Sequence, residues 1–190
     1  MSTRTERRRE QTHESLLDAL YDVVVEDGLA AATVAAVAER ADVAIGTFYN
    51  HFDSRDDAIA ELSSRHTGRL ADLIRDLSAA TEDMHDVIDI IARGAIEMLG
   101  QDRRWARFMA QVSGSPTWPR GTLSNLLADV VAQGQALGQF DPNGDPRQRG
   151  YLIGALFRAA VDLFVQDEES QMDADMLAKA MLAAAGGTRF

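Results

Sequence analysis

Apolar residues recur at three- and four-residue steps along most of this chain, which is the period of an amphipathic helix. Leu16, Leu17, Leu20, Tyr21, Val23 and Val24 predict a first helix over about residues 6–27, with Gly28 placed as its C-cap. Thr33 suits the N-cap of a second helix over 34–41, and a third follows over about 44–52. Asp53 or Ser54 then caps a long fourth helix. Asp56 and Asp57 lie in its first turn, and Ile59, Leu62, His66, Leu70, Leu73, Ile74 and Leu77 form its apolar stripe. Further helices are expected over about 84–99 and 102–112. The breaker at residues 113–116 precedes a helix from about Pro119 to Gly138. Residues 141–146 (Asp-Pro-Asn-Gly-Asp-Pro) read as a loop, followed by two last helices over about 146–165 and 173–185. No alternating, β-rich run occurs, so the expected class is all-α with about nine helices. A helix-turn-helix domain is expected at 1–53 and a helical regulatory and dimerisation domain at 54–190.

Charge changes that picture. The net charge is −11, and a single lysine, Lys179, stands against 18 arginines. Residues 1–66 hold seven arginines, no lysine and thirteen carboxylates, so the head is itself about −6. That is unusual for a protein that meets DNA. Many carboxylates with almost no lysine resemble the composition of haloarchaeal proteins, whose high-salt surroundings screen self-repulsion. A GC-rich genome would also replace Lys by Arg. With no cysteine, disulfides, thiolate metal sites and cysteine nucleophiles are excluded. No apolar run reaches the roughly 18 residues of a membrane span. No apolar core follows the basic residues Arg4, Arg7, Arg8 and Arg9, so a cytoplasmic protein is expected.

The second and third helices, joined through Ala41-Asp42-Val43, read as a helix-turn-helix, whose second helix fits the major groove. Val37, Ala38, Val43, Phe48 and Phe52 face inward in this reading. Gly46 permits close approach to a DNA backbone. Thr47 and Tyr49 carry hydroxyls and His51 an N–H, all suited to phosphate oxygens. Ala44 or Ile45 can touch a thymine methyl, and Asn50 can pair with adenine. Arg4, Arg7, Arg8 and Arg9 read either as a flexible arm reaching the minor groove or phosphates, or as a solvated tail. Taken together, Gly46-Thr47-Phe48-Tyr49-Asn50-His51-Phe52, Arg55, Thr33 and the Glu26-Asp27-Gly28 step resemble the tetracycline-repressor (TetR) family over about residues 12–62. The resemblance implies phosphate contacts from Thr33, Thr47, Tyr49, His51 and Arg55, and base readout from Ala44, Ile45, Gly46 and Asn50. Asp42 stands where that family usually has Gly, Ala44 where it often has a capping Ser, and Arg55 where it usually has Lys.

The same resemblance implies that the remaining helices supply dimerisation and signal input. Met98, Trp105, Phe108, Met109, Val112, Trp118 and Leu127 are the candidate lining of a site for an apolar or amphipathic effector. Each is equally consistent with ordinary core. Gly150, Gly154, Arg158 and Asp162, with Met176, Ala180 and Met181, are the candidate seam of a homodimer on a palindromic operator in double-stranded DNA. The alternative is packing within one chain. Four scattered histidines and the lack of HExxH, GxSxG or P-loop spacing give no catalytic, cofactor or metal site. The rival to a ligand-released repressor is a helical protein-interaction module without DNA binding.

Overall fold

The computed structural model describes residues 3–113, 122–166 and 173–187. Among these residues there are nine helices and no strand: α1 (Arg4–Asp27), α2 (Val34–Arg40), α3 (Ile45–Tyr49), α4 (Arg55–Ala80), α5 (Met84–Gln101), α6 (Arg103–Val112), α7 (Thr122–Ala136), α8 (Pro146–Gln166) and α9 (Ala174–Ala185). The expected Pro119 start of α7 lies outside the described residues. The chain forms two compact units, residues 1–65 with 107–118, and residues 66–106 with 119–190.

The first unit begins with a formed cap. The Thr3 hydroxyl accepts from the Glu6 N–H at 3.2 Å, and the Glu6 carboxylate accepts from the Thr3 N–H at 2.6 Å. Arg4, Arg7, Arg8 and Arg9 therefore stand on the first two turns of α1, which corrects the expectation of a flexible arm or loose tail. The apolar stripe of α1 is buried through Leu16, Leu17, Leu20, Val23 and Val24. Gly28 ends the helix at φ +90°, its N–H bonding the Val24 carbonyl at 3.1 Å. Val37 and Ala38 of α2, Phe48 of α3, Phe52, and Ala58, Ile59 and Leu62 of α4 complete this side of the core. Of the two cap candidates for α4, Ser54 acts: its hydroxyl accepts from the Asp57 N–H at 3.1 Å and donates to the Asp57 carboxylate at 2.7 Å. The second half of α6 joins the same unit. Phe108, Met109 and Val112 are buried there, and the Phe108 and Tyr21 rings lie 5.2 Å apart.

In the second unit α7 packs along α8, α5 along α9, and α8 along α9. Asp83 caps α5 by accepting from the His85 and Asp86 N–H groups at 3.0 and 3.4 Å. Arg149 of α8 donates to the Ala185 carbonyl at 2.6 Å and to the Asn143 carbonyl at 2.5 Å. It thereby ties the 141–146 loop to the end of α9, and the Asp141 N–H bonds the Gly186 carbonyl at 2.9 Å. Among the described residues no helix is long and apolar enough to cross a membrane.

Candidate nucleic-acid interface

The turn before α3 is set by backbone geometry. Asp42 is the non-glycine residue with positive φ among those described, at +53°, where the family resemblance places Gly. Asp tolerates this left-handed region better than most side chains. The Val43 N–H then reaches the Ala38 carbonyl at 2.9 Å and closes the turn. Ala44 follows as the N-cap of α3 with extended backbone and no side-chain cap bond, as expected of an alanine in a Ser position. Regular α-helix covers only Ile45–Tyr49, shorter than the expected 44–52. The Asn50 and His51 N–H groups bond carbonyls three residues back, at 3.1 and 2.9 Å, and tighten the last turn.

This short helix is divided cleanly by burial. Phe48 is buried against Phe52, ring centroids 5.3 Å apart. Ala44, Ile45, Gly46, Tyr49 and Asn50 are exposed, and Thr47 and His51 are half-buried. Ile45 and Tyr49 are 52% and 56% exposed, a large apolar and an aromatic group with no core role to explain them. Nothing lies within 4 Å of a Cβ built on Gly46. The glycine is therefore not required by packing within this chain. Thr33 caps α2 by accepting from the Ala36 N–H at 3.2 Å, which leaves its hydroxyl proton available to an incoming phosphate.

Two arginines of this unit are drawn inward. Arg40 pairs with Glu26 at 2.8 Å and with Asp27 at 3.6 Å. Arg55, half-buried, donates through Nη2 to the Leu29 carbonyl, and its Nε is buried without a partner. The expected phosphate ligand thus ties the start of α4 to the loop before α2. A third arginine, Arg65, is held by Glu14 at 2.6 Å and Glu61 at 2.7 Å.

His13 is a residue that sequence reasoning passed over. Its ring stacks on Phe52 at 4.7 Å, lies 5.5 Å from the His51 ring, and its Nε2 is 2.8 Å from Glu61 Oε1. The signal was present: His13 continues the Leu16, Leu17, Leu20 stripe of α1 at helical spacing. Partial burial holds the His51 imidazole below the ordinary histidine range, with the charges of His13 and Arg9 adding to the effect. The Arg65 hydrogen bond lowers the Glu14 carboxyl against the opposing pull of burial. Burial also raises Glu61, but hydrogen bonds from His13 and Arg65 outweigh it, so its net shift is downward.

The expected effector and seam residues are distributed differently from the way the sequence grouped them. Phe108, Met109 and Val112 are core of the first unit. Trp105, whose ring lies 6.5 Å from that of Phe157, Leu127 and half-buried Met98 belong to the second. Trp118 lies outside the described residues. The second unit carries an open cleft of about 430 Å³ between α4 and α7, lined by apolar Ile74, Leu126 and Val130 and by Arg75, Asp129 and Gln133. None of the seven expected effector residues lines it. Of the seam set, Gly150 is buried against α7, Gly154 faces Ser124, and Met181 is 1% exposed. Arg158 pairs with Asp162 on the surface at 3.7 Å, Ala180 is half-buried and Met176 is 57% exposed. The exposed apolar face of α8 consists instead of Tyr151, Leu152 and Leu163, at 68%, 53% and 50%.

Residues 16–62 match the family described as "Bacterial regulatory proteins, tetR family". Over 168 residues the chain is 21% identical to the HTH-type transcriptional regulator LuxR of Vibrio harveyi, an alignment spanning 86% of this chain and 82% of that protein. Its fold is similar to that of the fatty acid degradation regulator FadR from Bacillus halodurans, with TM-score 0.72, 25% identity, and coverage of 93% of this chain and 99% of that one. It is also similar in fold to the transcriptional regulator FadR from Bacillus subtilis, solved in complex with stearoyl-CoA, with TM-score 0.75, 17% identity and coverage of 93% and 99%.

Proposed function

We propose that this chain, a DNA-binding regulator whose residues 16–62 are a TetR-family helix-turn-helix domain, acts as a homodimeric repressor released from a palindromic operator by an amphipathic ligand. The observation that carries the DNA reading is the α3 surface. Ala44, Ile45, Tyr49 and Asn50 project from a helix whose other side is locked by Phe48 and Phe52. In this reading Thr33, Thr47, Tyr49 and His51 bind phosphates, and Ala44, Ile45, Gly46 and Asn50 approach base edges. Arg55 contributes chiefly by holding α4 to the loop before α2. The functional division is residues 1–53 for DNA and 54–190 for regulation.

The homodimer is supported by Tyr151, Leu152, Leu163 and Met176, a set of large exposed apolar groups on α8 and α9. A two-fold pair of heads matches two half-sites of a palindrome. The amphipathic ligand is supported by the α4–α7 cleft, where apolar walls meet Arg75, Asp129 and Gln133. The stearoyl-CoA held by one structural neighbour has the same two-sided chemistry. Release requires the ligand to prefer the DNA-free state, with coupling of about 1–3 kcal/mol. The lysine-poor, acidic composition supports work in concentrated salt.

Selection of bound duplexes from a random pool, in roughly 1 M KCl and in dilute buffer, tests the reading. A palindromic motif that disappears with Tyr49→Phe and Thr47→Ala is the expected result. No enrichment in either buffer, with the protein folded, overturns DNA binding and leaves the interaction module.

A further inference from the structure

The acidic head poses a specific problem. Contact with DNA is driven largely by cations replacing the counterions of phosphate. Residues 1–66 contain seven arginines and no lysine. Three of the seven are engaged within the unit: Arg40 by Glu26 and Asp27, Arg65 by Glu14 and Glu61, and Arg55 by the Leu29 carbonyl. The other four, Arg4, Arg7, Arg8 and Arg9, lie on the first two turns of α1. All four are exposed.

Geometry places the end of this stretch beside the reading helix. Arg9 precedes His13 by one helical turn, so both lie on the same side of α1. His13 stacks on Phe52 at 4.7 Å and lies 5.5 Å from His51, at the C-terminal end of the α3 turn. The charge of Arg9 is felt at His51 itself. The capping box of Thr3 and Glu6 holds the stretch helical.

We propose that the first two turns of α1, Arg4, Arg8 and Arg9 above all, form a helical clamp on the DNA phosphate backbone, continuing the contact surface of α3 past His51. This rests on the reading of the chain as a DNA binder. The target is phosphate rather than base edges. A helix with its side chains is about 10–12 Å across, whereas the minor groove is about 6 Å wide. The helical arginines thus meet the strand from outside. The clamp concentrates cations that, elsewhere in the head, are occupied by its own carboxylates.

The test is the KCl dependence of binding to a duplex chosen by the selection above, for the parent, Arg9→Gln, Arg9→Lys and the triple variant Arg4→Gln/Arg8→Gln/Arg9→Gln. Each phosphate that is no longer neutralised makes the log–log slope shallower by about 0.9. The expected result is a change of about one for Arg9→Gln and two to three for the triple variant. The ratio of selected to unrelated duplex affinity stays unchanged, and Arg9→Lys stays near the parent slope. Parent-like slope and affinity in the folded triple variant overturn the clamp while leaving the helix-turn-helix intact. A changed operator preference at constant slope also overturns it, since that is base readout. If the folded parent binds no duplex at all, both readings fail together.

Discussion

Gly150 of α8 sits on the backbone of Ala128 in α7: a Cβ at position 150 would stand 2.6 Å from the Ala128 nitrogen and 2.6 Å from the Ser124 carbonyl oxygen. Backbone cannot rotate away as a side-chain tip can. Gly150→Ala therefore forces α7 and α8 apart, at a cost of about 1–3 kcal/mol of overpacking, set against a helix-propensity gain of about 1 kcal/mol. Gly94, inside α5 with nothing within 4 Å of its Cβ position, is the matched control. Its replacement by Ala should stabilise by about 0.5–1 kcal/mol. Urea unfolding of the two variants should move the midpoint in opposite directions, and two shifts of the same sign would refute the close α7–α8 approach.

The turn between α2 and α3 rests on Asp42 at φ +53°. Asp42→Gly should lie within about 1 kcal/mol of the parent, because relief of left-handed strain is offset by greater freedom of the unfolded chain. Asp42→Val should cost about 1–3 kcal/mol, since a β-branched side chain tolerates this region poorly. Thermal unfolding of both variants checks this, and equal melting temperatures would show that the turn is not held left-handed.

Thr33 combines two tasks that substitution can separate. Removing the cap in Thr33→Ala should cost about 0.5–2 kcal/mol. Thr33→Asp retains an oxygen acceptor for the Ala36 N–H but brings no proton donor and adds a negative charge. Stability should return in the Asp variant while DNA affinity falls below that of Thr33→Ala. Recovery of affinity along with stability would show that the cap alone matters.

Acid destabilises the first unit through two kinds of group, in two pH windows. His51 has a depressed pKa in the fold, so the unfolded chain takes up its proton first as the pH falls through about 6.5. Stability is fully present above that value and declines below it. Glu14 and Glu61 are also depressed, but they titrate lower: their contribution is present above the ordinary carboxylate range and is lost as the pH falls through their folded values. In His51→Gln the decline in urea midpoint between about pH 7 and 5.5 should flatten, leaving the carboxylate step in place. NMR titration of His13→Gln and Arg9→Gln should show His51 moving up toward its ordinary value, because each variant removes a neighbouring charge. An unmoved His51 would refute the proximity of α1 to the end of α3.

Much of this molecule is legible in one dimension. Helical periodicity and the caps at Thr33, Gly28 and Asp83 are local properties, set by side-chain spacing and by donors and acceptors within a few residues. The helix-turn-helix is legible for the same reason, since Phe48 and Phe52 alternate with exposed Tyr49 and Asn50 within a single turn. The sequence also determines the acid excess and the lack of lysine.

Periodicity says which residues share a face, but not what covers that face. Leu73 falls on the apolar stripe of α4 by spacing and is nonetheless 40% exposed. One face of α6 carries Trp105, Phe108, Met109 and Val112, yet it serves two cores, because the helix passes from one compact unit to the other. Small residues on α8 suggest close approach to some helix, and only the fold shows α7 of the same chain lying over Gly150. Likewise all seven arginines of the head look alike in sequence. Long-range pairing assigns Arg40 to Glu26 and Arg65 to Glu14, and seats Arg55 on the Leu29 carbonyl. Charge is a property of composition, but its availability to DNA depends on which carboxylates the fold brings within reach.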